Sequence, residues 1–302
     1  MARSSVSYVC QQCGSAFPKW AGRCDDCGAW NTLVEERKDA PAGPGKRAHG
    51  RQITLEPLQS ASTAKPLPRM QSDISEFDRV AGGGLVPGSA TLIGGDPGIG
   101  KSTLLLQLTC KLSSAGFRAA YISGEESADQ VRMRASRLGL ADATVELGTA
   151  TNASDIAASM TGAERPDIVV IDSIQTMFLP SLDSAPGTVS QVRASAQELI
   201  RAAKNNRVAL LIVGHVTKDG SIAGPRVLEH MVDAVLHFEG ARSHHFRILR
   251  GVKNRLGATD EIGVFEMVEA GLAEVPNPSE LFLADRRDDV TGAVVFAGIE
   301  GS

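Results

Sequence analysis

At 302 residues the chain has room for one large α/β domain and a smaller unit, and a hydrophobic content of 42% is enough for a sizeable core. A formal net charge of −4 gives no global attraction to nucleic acid, so a polyanionic partner must be met by a local basic patch. The N-terminus lacks an apolar signal-like segment, and the longest apolar stretch, Val208 to Val213, is far too short to span a bilayer; the expected location is the cytoplasm, with no membrane partner.

The chain opens on two C-x-x-C-G knuckles, Cys10 to Gly14 and Cys24 to Gly28. The glycine permits the tight turn that aims two thiolates at one ion, and two knuckles complete a tetrahedral site, so Cys10, Cys13, Cys24 and Cys27 are the expected zinc ligands of a ribbon over residues 1–34. A disulfide pair or a thiol redox site explains neither the duplication nor its spacing. Phe17, Trp20 and Trp30 are the apolar side chains expected to pack such a metal-stapled unit. From 35 to 69 the apolar periodicity dissolves into Pro, Gly and charge, the composition of a flexible linker. Its Arg37, Lys38, Lys46, Arg47 and Arg51 either touch phosphate or remain solvated.

Residues 70–275 alternate strand and helix. Ala90 to Ile93 reads as a strand, Gly95-Asp96-Pro97-Gly98-Ile99-Gly100-Lys101-Ser102 is a complete G-x-x-x-x-G-K-S phosphate loop, and Leu104, Leu105, Leu108 and Leu112 lie at helical spacing behind it. On such a strand-to-helix turn the backbone N–H groups from Gly95 to Thr103 face nucleotide phosphates. Lys101 reaches the β and γ oxygens of ATP, and Ser102 ligates Mg²⁺. Cys110, among the leucines, is expected to be a buried core residue.

Further on come strand Arg118 to Ser123, a helix opened by the capping box Ser127-x-x-Gln130, strand Thr144 to Leu147 and a small-residue helix around Asp155 to Glu164. Strand Ile168 to Ile171, a helix from Val189 to Asn205 and strand Val208 to Val213 follow. This alternation means a mostly parallel sheet with helices on both faces. The runs Val232 to Phe238, Phe246 to Val252 and Ile262 to Met267 have no intervening helix pattern and are expected to extend the sheet antiparallel. Two strand ends carry carboxylates. Asp172 after Ile168–Ile171 would hold Mg²⁺ through water, and of the pair Glu125-Glu126 one would polarise the attacking water while the other serves the next helix; Glu125 is the expected base.

Together the knuckle pair, the loop Gly94 to Thr103, Ser123-Gly124-Glu125-Glu126-Ser127 and Gly214-His215-Val216-Thr217-Lys218-Asp219-Gly220 resemble the bacterial RadA (Sms) family, RecA-like motors of recombinational repair. Lys253-Asn254-Arg255-Leu256-Gly257 matches that family's K-N-R-F-G motif with Leu256 in place of phenylalanine. The resemblance implies an α/β fold in which a RecA-like P-loop ATPase core, a mostly parallel sheet flanked by helices, is preceded by a small four-cysteine zinc ribbon. It also implies a homo-hexameric ring in which Lys253 and Arg255 reach the ATP site of the adjacent subunit and His215 senses the γ-phosphate. On the residues alone, Arg242, Arg247, Arg250, Lys253 and Arg255 serve equally well as a solvated basic face. The resemblance further implies that residues 276–302, with the strand-like Val290 to Phe296, are the start of a truncated Lon-protease-like domain.

The function so implied is a DNA-dependent, helicase-like ATPase acting on single-stranded and branched DNA, promoting branch migration of recombination intermediates and meeting a recombinase or replication protein through its ribbon. Lys218 and Arg226 flank a glycine-containing loop suited to a DNA backbone, although Lys218 could equally sense nucleotide. The alternatives are a RecA-fold signalling or scaffold ATPase with protein partners, and a metabolic P-loop kinase. A monomeric kinase needs neither the zinc ribbon nor Lys253 and Arg255.

Overall fold

The computed structural model describes residues 5–10, 15–38, 68–215, 227–240 and 245–275. The N-terminal unit is a three-stranded antiparallel sheet of β1 (Ser5–Cys10), β2 (Ala16–Phe17) and β3 (Leu33–Lys38), ordered β2-β1-β3, with Tyr8 opposite Phe17 and Cys10 opposite Leu33. Its core is small: Cys10, Cys24 and Leu33, with Tyr8, Phe17 and Ala21 packed on them. Two expectations need correction. β3 pairs with β1 as far as Ser5 opposite Lys38, so regular pairing takes in residues whose composition had assigned them to a linker. And Trp20 and Trp30, expected inside, are 58% and 70% exposed; the small core is made by Cys10, Cys24 and Leu33 instead.

The second unit follows the order α1 (Ser75–Val80), β4 (Ala90–Gly95), α2 (Lys101–Ser114), β5 (Ala119–Ser123), α3 (Ala128–Arg137), β6 (Glu146–Thr149), α4 (Ala153–Ser159), β7 (Ile168–Asp172), α5 (Val189–Asn206), β8 (Ala209–Val213), α6 (Val227–Met231), β9 (Ala234–Glu239), β10 (Phe246–Asn254), β11 (Ile262–Val268) and β12 (Gly271–Glu274). Nine strands form one sheet in the order β12-β11-β10-β9-β4-β8-β7-β5-β6. β4 to β8, β8 to β7, β7 to β5 and β5 to β6 are parallel, and both faces are covered, as the continuous apolar runs of β4, β7 and β8 require. Alternation divides each strand between two cores. Ile168 and Val170 pack with Leu104, Leu105, Leu108 and Leu112 of α2, while Val169 and Ile171 pack with Val192, Ala196, Leu199 and Ala203 of α5. The four α2 leucines are essentially inaccessible, and burying each stabilises the fold by about 1.5–3 kcal/mol.

The antiparallel expectation holds for β10 to β12 and fails for β9, which lies parallel to β4 with Thr91 opposite Ala234 and Gly95 opposite Phe238. α6 directly precedes β9, and Asp233 locks the register by exchanging hydrogen bonds with Ala90 through its N–H (2.8 Å) and its Oδ2 (3.0 Å). Cys110 is buried, and burial pushes its thiol up to about 11, as a core role requires.

Candidate active site and metal centre

β4, β8, β7 and β5 are consecutive parallel neighbours, so their carboxyl ends share one edge of the sheet, the edge at which open α/β sheets hold ligands. The phosphate loop follows β4. Gly95 at its start has φ +152°, and a side chain there would begin 2.4 Å from the Phe238 carbonyl oxygen, so only glycine lets the loop leave the sheet between β4 and β9. Lys101, the first residue of α2, is buried, and its Nζ donates to Gly95 O (2.7 Å) and Asp96 O (2.9 Å). Burial pulls its ammonium below the ordinary value, opposed by the charges of Asp172, Asp96 and Glu125. Beneath the loop lies a residue assigned above to the exposed basic face. Arg247 of β10 is only 7% accessible and donates from Nε to Ile99 O (3.1 Å), so the solvated reading does not hold for it.

β5 and β7 pair with Ser123 opposite Asp172, and Gly124 N donates to Asp172 O (2.9 Å), so Glu125 follows just beyond the end of β5, next to the end of β7. Asp172 is buried and accepts a hydrogen bond on Oδ2 from the Tyr121 hydroxyl. Burial and the Asp172 charge hold the Tyr121 phenol well above its ordinary value, so it stays a donor. The two glutamates have separate partners. Glu125 Oε1 accepts from Ser173 Oγ (2.5 Å) and lies 3.2 Å from His215 Nε2, whereas Glu126 is ion-paired to Arg134 of α3. Burial alone would raise the Glu125 carboxyl; the bonds from Ser173 and His215, with the charges of His215 and Lys101, outweigh it and hold the group below the usual carboxylate range. The helix that follows carries the expected capping box, Gln130 N to Ser127 Oγ at 3.3 Å and Ser127 N to Gln130 Oε1 at 2.9 Å, so α3 needs neither glutamate as its cap.

These residues suit a Mg²⁺-nucleotide. A buried lysine lies at the loop, Ser102 and Asp172 offer hard oxygen ligands, and His215 Nδ1 is buried with no hydrogen-bond partner among the described residues. Lys253 and Arg255 lie elsewhere. Lys253 Nζ donates to the carbonyls of Glu229 and Val232 (2.9 Å for the latter), and Arg255 is anchored to Asp233 by its N–H (2.9 Å) and, more loosely, by Nη1 (3.9 Å). Neither is among the partners of Lys101, Glu125, Asp172 or His215. Lys218 and Arg226 lie outside the described residues.

In the ribbon, the Sγ atoms of Cys10, Cys24 and Cys27 lie within 4.8 Å of one another, with Cys10 to Cys27 at 3.7 Å. Tetrahedral zinc with bonds of about 2.3 Å holds sulfurs about 3.8 Å apart, so the three fit zinc. The knuckle forms as its sequence demands: Gly28 has φ +74° and donates to Cys24 O (2.9 Å), while Cys24 N donates to Ala29 O (2.8 Å). Cys13 lies outside the described residues.

Sequence reasoning missed Tyr121, Ser173 and the burial of Arg247. Ser173 follows Asp172 directly and was within reach of a motif reading; the other two depend on cross-strand neighbours that one strand does not reveal.

Two family models match the chain, an AAA domain over residues 63–221 and a rubredoxin metal binding domain over residues 8–35. DNA repair protein RadA of Brucella abortus (strain 2308) is 57% identical across the whole of this chain, which spans 66% of that protein; RadA of Rickettsia bellii (strain RML369-C) is 51% identical, again across the whole chain and 67% of its own length. Among solved structures the core is similar to a DnaB-like replicative helicase (TM-score 0.61, 12% identity, 75% of this chain and 68% of that one). It is similar also to the RadB recombinase (TM-score 0.52, 20% identity, 68% and 99%). The solved structures establish the RecA-like fold and the relatives the lineage: the chain belongs to the DNA repair protein RadA family.

Proposed function

We propose that the chain is a DNA-dependent ATPase that assembles as a ring on single-stranded DNA and assists branch migration of recombination intermediates. One observation carries the ATPase part: Glu125 is held by Ser173 and His215 at the carboxyl ends of adjacent strands, on the edge of the sheet from which the phosphate loop leaves. In this reading Lys101 Nζ exchanges the Gly95 and Asp96 carbonyls for β and γ oxygens of ATP. Ser102 and Asp172 would hold Mg²⁺, which would supply positive charge against the phosphate oxygens. Glu125, kept ionised by its partners, takes a proton from the water that attacks the γ-phosphorus as the bond to ADP breaks, and His215 binds the γ-phosphate from the other side of Glu125.

The chain spans about two thirds of the length of its curated relatives, and its DNA partner follows from their designation as DNA repair proteins. Lys253 and Arg255 act in the ring on a neighbour's ATP, Lys218 and Arg226 meet the DNA backbone, and the ribbon carries zinc and receives a recombinase or replication protein. ATP turnover measured with and without single-stranded DNA tests the reading. DNA should accelerate turnover; a rate indifferent to DNA at saturating binding would favour a scaffold ATPase instead.

A further inference from the structure

Trp20 and Trp30 are the only tryptophans in the chain, and neither indole is buried in the core. Both are exposed on the ribbon, yet they are not scattered: the edges of the two indoles lie 3.9 and 4.0 Å from the point where a side chain on Gly22 would begin. The two rings therefore flank one backbone position. Arg23 faces Trp30 across an antiparallel bridge, with its guanidinium carbon 5.8 Å from the ring centroid, and is fixed there by a bond from Nε to Gly28 O (3.0 Å). Lys19, exposed, adjoins Trp20.

From this we propose that the ribbon holds a second nucleic-acid site, in which bases of a single strand stack on Trp20 and Trp30 while Arg23 and Lys19 meet the adjoining phosphates. Exposed aromatic faces beside cations are the chemistry that receives unpaired bases without regard to sequence. Net charge does not produce it. Over residues 15–38, Lys19, Arg23, Arg37 and Lys38 are balanced by Asp25, Asp26, Glu35 and Glu36, so affinity here depends on ring faces and its salt dependence is shallow. The site rests on the single-stranded DNA reading above but occupies a different unit from the ATPase crevice, so the two can fail separately.

Because no tryptophan lies elsewhere, intrinsic fluorescence of the zinc-loaded full chain reads this site alone. Titration with a short oligodeoxythymidylate should quench it, and an abasic oligomer of the same length should not. Trp20→Ala and Trp30→Ala, checked for unchanged zinc content, should each weaken the ribbon's binding on the order of 5- to 100-fold, with Trp30→Phe recovering most of the loss. DNA-stimulated ATP turnover is followed in parallel. Fluorescence indifferent to an oligomer whose binding is proven by anisotropy, or quenching equally strong with the abasic strand, would overturn the ribbon site while leaving the ATPase reading intact. Quenching without any stimulation of turnover would do the reverse.

Discussion

Residue by residue, the site divides into groups that a linear motif announces and groups that only packing supplies. Lys101 belongs to the first: its place in G-x-x-x-x-G-K-S fixes its role, and the structure finds it buried against the loop carbonyls. Lys101→Ala should fold and lose ATP turnover by more than about 10²-fold, checked by far-ultraviolet circular dichroism beside steady-state hydrolysis. Glu125 was legible as half of a pair, but nothing in the sequence separates it from Glu126. The separation comes from Ser173 and His215 on neighbouring strands and from Arg134 on α3. It also sets a pH dependence. A base whose folded pKa is depressed stays ionised to lower pH than an ordinary glutamate, so the acid limb of kcat lies below the usual range near 4.5. Ser173→Ala removes the donor nearest its carboxylate and should move that limb upward. A limb that stays in place would exclude Glu125 as the titrating base.

At the scale of elements, alternation of apolar runs with capped helices gave the parallel core because both signals are local. The capping box of α3 and the leucine stripe of α2 appear where the residues place them. What escaped was the orientation of β9, which is set by its distant pairing with β4 and by the bonds of Asp233 to Ala90, neither of which leaves a trace in the local pattern. The tryptophans failed for a related reason. Composition says that a small unit needs apolar filling, but here thiolates fill the centre. Zinc should therefore supply most of the ribbon's folding free energy: metal analysis should find one ion per chain bound by Cys10, Cys13, Cys24 and Cys27. Chelation should change tryptophan fluorescence while the thermal transition of the core stays within a few degrees. Chelator-treated protein that keeps its ribbon signal, or holds no metal when freshly reduced, would contradict this.

For the whole molecule, ring action makes a claim that no single chain can display. Within the chain Lys253 and Arg255 are held near Asp233 and the carbonyls around α6, away from the crevice, as groups that serve a neighbouring subunit can be. Mixing inactive Lys101→Ala chains with inactive Arg255→Ala chains should then restore part of the turnover, because some interfaces pair an intact loop with an intact finger. The loss in homogeneous Arg255→Ala is expected on the order of 10³ in kcat. Co-assembled mixtures that stay inactive at every ratio would argue for action in cis.

The central claim is that adjacent strand ends assemble one site for ATP hydrolysis with Glu125 as its base, and single-turnover hydrolysis by Glu125→Gln and Glu126→Gln in the presence of single-stranded DNA tests it most directly. Glu125→Gln should bind ATP within a few-fold of the unaltered protein and hydrolyse it roughly 10²- to 10⁴-fold more slowly, with Glu126→Gln much less affected. Near-normal hydrolysis by Glu125→Gln, with the loss transferred to Glu126→Gln, would contradict the account.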